Sequence, residues 1–390
     1  MRTQFLRYTC VLAGVAALGI PSFAQIRNDD GSIATAQPPF HFRVKPNGST
    51  PTGIFPAQMK KAYGIDQVAN QGAGVTIGIV DAYDAPTIES DLGVFNTQFS
   101  LPACTTGNGC FQKVYASGSQ PAVNAGWAVE ASLDVEWAHA IAPQAKIILV
   151  EAASASFSDL LAGVDAAVAH GATVVTMSFG GSEFSSETGE DSHFNVPGVA
   201  FFASSGDNGH GAQYPAASPF VIGVGGTSLT IQNDGTYVSE SAWSGSGGGT
   251  SKYETKPTYQ NGIPVIRNRR SVPDVAFDAD PNTGVPVYDS TADGQYVNWT
   301  QVGGTSLSSP MWAGVMAIAD SSRAGVQKSV LDSSVLSSIY GSLFADLNDI
   351  ASGTNGGCPK ACKSVPGYDQ VTGLGTPIVN LLIPALVALP

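Results

Sequence analysis

Four side chains in this sequence have the types and neighbours to do chemistry together: Ser306, Glu130, Asp134 and Asp207. Ser306 follows Gly303-Gly304-Thr305 and leads into the apolar run Leu307-Ser308-Ser309-Pro310-Met311-Trp312-Ala313-Gly314. The glycine pair permits backbone angles that other residues avoid, and Pro310 suits a first helical turn, so the pattern predicts Ser306 near a helix N-terminus. Such an end offers unpaired N–H groups to developing negative charge. A hydroxyl there serves either as a helix cap or as a nucleophile. Glu130 and Asp134 stand four residues apart within 127–142, a stretch with helical apolar spacing, which places both on one helix face and Glu136 on another. Like charges at that spacing repel unless they share a proton or are solvated, so the pair is either a coupled acid or a wet acidic face. Asp207 lies in Ala203-Ser204-Ser205-Gly206-Asp207-Asn208-Gly209, which by itself reads as a turn.

The elements that must position these groups are legible as alternating strands and helices. Val75-Thr76-Ile77-Gly78-Ile79-Val80 is a β-branched, nearly continuous apolar run, the mark of a buried parallel strand, and it ends at Asp81. The stretches 146–150, 172–178, 199–203 and 221–224 repeat the signature, with helical segments such as 157–170 between them. The expected fold class is therefore α/β, a mostly parallel twisted sheet with helices on both faces. Active residues of such sheets gather at the carboxyl ends of strands. Asp81, at one such end, either extends a carboxylate network behind Glu130 or simply starts a turn.

The segment from Gly304 to Gly314 resembles the serine segment of subtilisin-like peptidases. None of the five histidines, His41, His139, His170, His193 and His210, stands in the His-Gly-Thr context that subtilisins use. Glu130-Ala131-Ser132-Leu133-Asp134 is instead similar to the pattern of the sedolisins, the serine-carboxyl peptidases, and the likeness runs from Phe55 to Pro377 with motifs in the family's order. The resemblance implies a subtilisin-like fold and a serine-carboxyl endopeptidase that cuts peptide bonds at acidic pH through an acyl-enzyme. Ser306 is then the nucleophile, Glu130 the general base, and Asp134 the partner that orients Glu130 and shares its proton. Asp207 takes the oxyanion place, where a carboxyl must be protonated to donate. Some sedolisins carry tryptophan where this chain has Ser178-Phe179-Gly180, so a network built on an indole N–H is not expected.

The same resemblance implies one calcium ion near the C-terminus, held by the carboxylates of Asp349 and Asp369 and the carbonyls of Ile350, Val365 and Gly367. Val365 stands where the family often has glycine, which is tolerable only if the backbone angles suit a β-branched residue. Asp278 to Asp289 imitates an EF-hand start, but its glycine is late and Pro281 intrudes, so it reads as a surface turn. The glycine-rich 244–249 stretch is either a linker or a loop that lines the substrate, the second being preferred.

Residues 1–24, with Arg2, Arg7 and an apolar run from Val11 to Ile20, read as a signal peptide whose removal takes Cys10 with it. The remaining cysteines form two close pairs and predict the disulfides Cys104–Cys110 and Cys358–Cys362, although four cysteines allow three connectivities. Zinc is disfavoured by their spacing. Residues 25–52 read as an arm or short propeptide, with no room for the long pro-domain that the resemblance implies, and 53–390 as the peptidase domain. A net charge of −13 argues against nucleic acid as a partner. The expected protein is a secreted monomer, extracellular or periplasmic, free of the membrane after signal cleavage, with a polypeptide substrate. The rival expectations are a non-catalytic peptide-binding protein on a peptidase scaffold and a histidine-dependent subtilisin-like protease using His139.

Overall fold

The computed structural model describes residues 25–43, 48–263, 268–291, 298–358 and 360–390. The signal peptide assigned to residues 1–24 lies outside them. The central sheet comprises β1 (Thr76–Ala82), β2 (Phe111–Tyr115), β3 (Lys146–Ala152), β4 (Val174–Met177), β5 (Ala200–Ser204), β6 (Ile222–Ile231), β7 (Tyr237–Ala242) and β8 (Val275–Asp278). Their spatial order is β7-β6-β5-β4-β1-β3-β2, with β8 also on β6, and every pairing is parallel except β6 with β7.

Strand periodicity divides the apolar residues between two cores. Ile77, Ile79, Ile147, Leu149 and Phe202 face one side, with helices α1 (Ala125–Ile141) and α3 (Thr305–Gly325). Val80, Ile148, Val150, Val175 and Phe201 face the other, against helix α2 (Phe157–Ala169). Helices on both faces match the expected architecture. No helix among the described residues is long and apolar enough to cross a membrane.

Helix α1 begins at Asn124, whose side chain accepts the Trp127 N–H at 3.2 Å. From Trp127 to Ile141 every residue is buried, because the helix packs against β1 and α3 on one side and the strand Val285–Asp289 on the other. Its carboxylates are thus held inside protein and not on a wet face. Helix α3 starts one residue after Gly304, whose φ of 124° suits glycine. Pro310 is the sixth residue of that helix and not part of its first turn, which corrects the expected register. Lacking an N–H, it leaves the Ser306 carbonyl without its usual helical donor.

Within the 25–52 stretch read as an arm, residues 25–43 cross the carboxyl ends of the strands. Ala34 and Ala36 are fully buried. His41–Phe42 pair antiparallel with Val302 and Gly303 of the strand Asn298–Gly303. Both predicted disulfides are present, Cys104–Cys110 and Cys358–Cys362, with Cα separations of 4.9 and 5.4 Å.

Candidate active site

Three separate parts of the chain bring Ser306, Glu130, Asp134 and Asp207 together at the carboxyl end of the sheet. Ser306 is in the first turn of α3, fully buried. Glu130 stands beside it on α1; burial pushes its carboxyl well above the usual range, Asp134 and Asp81 add to the rise, and the Ser306 hydroxyl opposes it. The Ser306 hydroxyl and the Glu130 carboxyl thus face each other, and neither has another hydrogen-bond partner.

Asp134 is pushed up by burial and then by Asp81. Its Oδ1 lies 2.8 Å from Ser178 Oγ, and Ser178 Oγ lies 3.1 Å from the Ser306 carbonyl that Pro310 leaves free. A hydroxyl has one proton, so both contacts are full hydrogen bonds only when Asp134 carries a proton and donates it to Ser178. As donor to Asp134, Ser178 holds that carboxyl down against the rise that burial and Asp81 cause, so the two acids of the helix titrate as a coupled pair.

Asp81 does join the cluster. It is buried with both oxygens unpartnered, and burial followed by the charge of Glu151 drives its carboxyl well up. Glu151 is its direct cross-strand partner on β3, held by the Ala85 N–H at 2.8 Å and by Lys113 Nζ at 3.0 Å. Lys113 also grips Asp84, so the outer end of the carboxyl row is neutralised while the end beside Ser306 is not.

Asp207 follows β5 on a loop braced by the glycine-rich segment. Gly247 N–H donates to Gly206 O at 2.6 Å and Gly209 N–H to Gly245 O at 2.9 Å. Residues 246–249 are buried, which corrects the expectation that this stretch lines the substrate: glycine is needed there because two backbones approach closely. Asp207 Oδ1 accepts the N–H and the hydroxyl of Thr305, both at 2.8 Å, while Oδ2 has no hydrogen bond and is 3.5 Å from His41 Nε2 of the arm. Burial raises its carboxyl to about 8. The neighbouring Asn208 is exposed. A cavity of about 330 Å³ opens here, lined by arm residues, Gly180, Gly181, Asp207 and Asn208. A larger one, about 440 Å³ around Phe194, Pro219 and Tyr259, contains none of the four residues.

His139 is not part of the cluster. It is buried nine residues beyond Glu130, about 13 Å along the helix, with Nε2 2.9 Å from the Pro102 carbonyl.

Comparison with known proteins places this geometry. Pseudomonas sp. sedolisin is 32% identical over 46% of this chain and 33% of its own length, and Bacillus sp. kumamolisin 30% identical over 88% and 66%. The solved structure of Pseudomonas sedolisin, a serine-carboxyl proteinase complexed with two molecules of pseudo-iodotyrostatin, superposes with a TM-score of 0.75 at 26% identity, covering 86% of this chain and 98% of that one. A lanthipeptide protease shares the fold at a TM-score of 0.56 and 14% identity. The subtilase family model matches residues 122–356. The chain belongs to the subtilase family, as a sedolisin-type member. It spans less than two thirds of the length of the curated sedolisin relatives it matches first.

Of the calcium ligands expected by resemblance, Asp349 meets Gly367, and Asp369 and Ile350 meet at a third residue. Asp349 Oδ2 accepts the Gly367 N–H at 2.8 Å, so the two loops meet. Asp369 Oδ2 and the Ile350 carbonyl converge on one hydroxyl, Ser364 Oγ. The donor set is all oxygen with two carboxylates, which suits a hard cation. Gly367 has a φ of 82°, where glycine is required, and Val365 is not among the residues with positive φ, so its β-branch carries no backbone penalty. The EF-hand imitation is a turn in which Asp280 accepts the Asn282 N–H at 2.9 Å.

Sequence reasoning missed two participants, Ser178 and Glu151, and it missed the seat of the arm in the cleft. Ser178 and Glu151 could have been found as polar residues at the carboxyl ends of buried parallel strands.

Proposed function

We propose that this chain is a secreted, monomeric serine-carboxyl peptidase that hydrolyses polypeptides in acid. The observation that carries the proposal is the convergence of the Ser306 hydroxyl, the Glu130 carboxyl facing it and Asp207 Oδ2, all buried, from three distant parts of the chain. Ser306 Oγ attacks the substrate carbonyl while Glu130 takes its proton and later returns it to the leaving amine. Asp134, linked through Ser178 to the Ser306 carbonyl, holds the second proton of the pair. The Ser306 N–H and a protonated Asp207 Oδ2 donate to the oxyanion. Water then cleaves the ester by the same route reversed. The test is digestion of a denatured protein by the native chain beside Ser306→Ala: peptides from the first and none from the second are expected, and equal digestion by both overturns the proposal.

Acid operation follows from the required protonation states. The active state has one negative charge on the carboxyl pair and a neutral Asp207. Activity falls as the pair loses its second proton and is gone once Asp207 ionises, at about 8 with the arm over it.

The body of the protein is suited to the same range. Burial raises Asp191 to about 6, Glu151 and Asp320 to about 7, Glu254 to about 8 and Glu187 to about 9. Each therefore holds its proton more tightly folded than unfolded. Its contribution to stability is complete below the unfolded value and is lost as pH rises through the folded one. With only 18 lysines and arginines, the chain also accumulates little positive repulsion in acid. The thermal midpoint of the Ser306→Ala protein is expected to be higher near about pH 4 than near about pH 8; the reverse order contradicts these assignments.

Asp349 and Asp369, with the Ile350, Val365 and Gly367 carbonyls, would hold calcium, whose role would be to tie the C-terminal loops together. Excess chelator is expected to lower the thermal midpoint by several degrees, on the scale of roughly 3–4 kcal/mol for an ion at 100–1,000 times its dissociation constant. An unchanged midpoint removes calcium from the account.

A further inference from the structure

Asp207 can serve an oxyanion only if its backbone is held still, and part of the fastening behind it comes from near the C-terminus. Thr305 fixes Oδ1, so the aim of Oδ2 depends on where the loop is seated. On one side of that loop, Gly211 N–H donates to Gly248 O at 2.7 Å and Gly248 N–H donates back to Gly211 O at 3.1 Å. On the other side, His210 N–H donates to the Asn355 carbonyl at 3.0 Å. Asn355 also reaches the glycine brace, its Nδ2 donating to the Ser246 carbonyl at 2.7 Å. One residue thus ties the Asp207 loop to its brace. Gly209 permits the contact: its φ is 71°, and a Cβ there would come within 2.4 Å of the Asn355 carbonyl oxygen.

Asn355 is itself held from behind. It is 2% exposed, its N–H donates to the Cys362 carbonyl at 3.0 Å, and the adjoining Thr354 and Lys363 pair antiparallel. Cys362 is linked to Cys358, and a ring nitrogen of His210 lies within 4.8 Å of both sulfurs. For stability alone the amide is a poor choice. Its Oδ1 is buried with no hydrogen-bond partner among the described residues, a cost that offsets the gain from Nδ2. Nor does Asn355 line the cavity beside Asp207. What its bonds accomplish is placement.

We propose that Asn355 is a positioning residue for the oxyanion donor: it seats the Asp207 loop against the glycine brace, and the Cys358–Cys362 disulfide keeps it in place. This rests on the peptidase function proposed above. The oxyanion exists only once Ser306 has begun to attack, so a loosened loop weakens the transition state and spares the binding of substrate. The loss therefore falls on kcat and leaves KM nearly unchanged. Because Asn355 acts through Asp207, it has nothing to position once the Asp207 carboxyl is gone. Asn355→Asp keeps the shape of the side chain and, while protonated in acid, its donor to the Ser246 carbonyl.

The test is steady-state cleavage of one peptide in acid by the full chain, with and without Asn355→Ala, in native and Asp207→Ala backgrounds. Asn355→Ala is expected to lower kcat by about 10–10²-fold, with KM within about threefold of native. In the Asp207→Ala background the same change is expected to cost less than about twofold. Asn355→Asp is expected to restore kcat in acid to within about threefold of native. Joint replacement of Cys358 and Cys362 by serine lowers kcat in the same way, and it carries the cycle with Asp207→Ala if Asn355→Ala does not fold. Native kcat in Asn355→Ala, a loss confined to KM, or losses that multiply with Asp207→Ala overturn the inference and leave the peptidase proposal standing. No cleavage by the native chain overturns both.

Discussion

Replacing Ser306 by alanine is expected to lower kcat/KM by roughly 10⁴-fold or more while leaving the fold intact. The hydroxyl's polar neighbour is Glu130, whose rise it opposes, so its removal leaves a carboxyl that stays protonated and strands no other partner. Glu130→Gln keeps shape and volume but cannot accept the Ser306 proton, and its expected loss is about 10²–10⁴-fold. Because the two residues act in one step, the double variant is expected to be little worse than Ser306→Ala alone. Kinetics on a single peptide, with circular dichroism on each variant, checks all three outcomes. Residual activity within tenfold of native in Ser306→Ala, or additive losses in the double variant, contradicts the assignment.

Asp207→Asn is expected to extend activity toward neutral pH, moving the upper limb of the profile by about one unit or more, because an amide donates a hydrogen bond at every pH. Asp207→Ala removes the donor altogether and is expected to cost about 10²–10³-fold at the acid optimum. Steady-state rates across the pH range for both variants decide the matter. An unchanged upper limb in Asp207→Asn assigns the limiting proton elsewhere.

Local pattern marked the four central residues only as candidates, and the resemblance to the sedolisins singled them out. A glycine pair before a hydroxyl also makes a helix cap, two acids four apart also make a wet face, and an acid on a glycine loop also makes a turn; burial in the folded chain decides between these. The sheet was legible because alternate residues of each buried run feed two different cores. What escaped depends on long-range register. Ser178 matters only because Pro310 lies in the second turn of its helix and frees the Ser306 carbonyl, and the expected first-turn placement hid that opening. Asp81 could not be assigned until the pairing of β1 with β3 set it opposite Glu151. The 244–249 glycines looked like a substrate wall and proved to be a backbone brace, since glycine composition marks close approach without naming the partner. The arm was visible as an extended polar stretch, but its seat in the cleft is fixed by pairing with residues more than 100 positions away.

The most direct measurement is the pH dependence of kcat/KM for cleavage of one peptide by the native chain. Service of Ser306 by a carboxyl pair beside a protonated Asp207 predicts activity confined to acid, falling as pH rises and absent above about 8. Activity that instead climbs through neutral pH and stays high above it, as an imidazole base would give, contradicts the account.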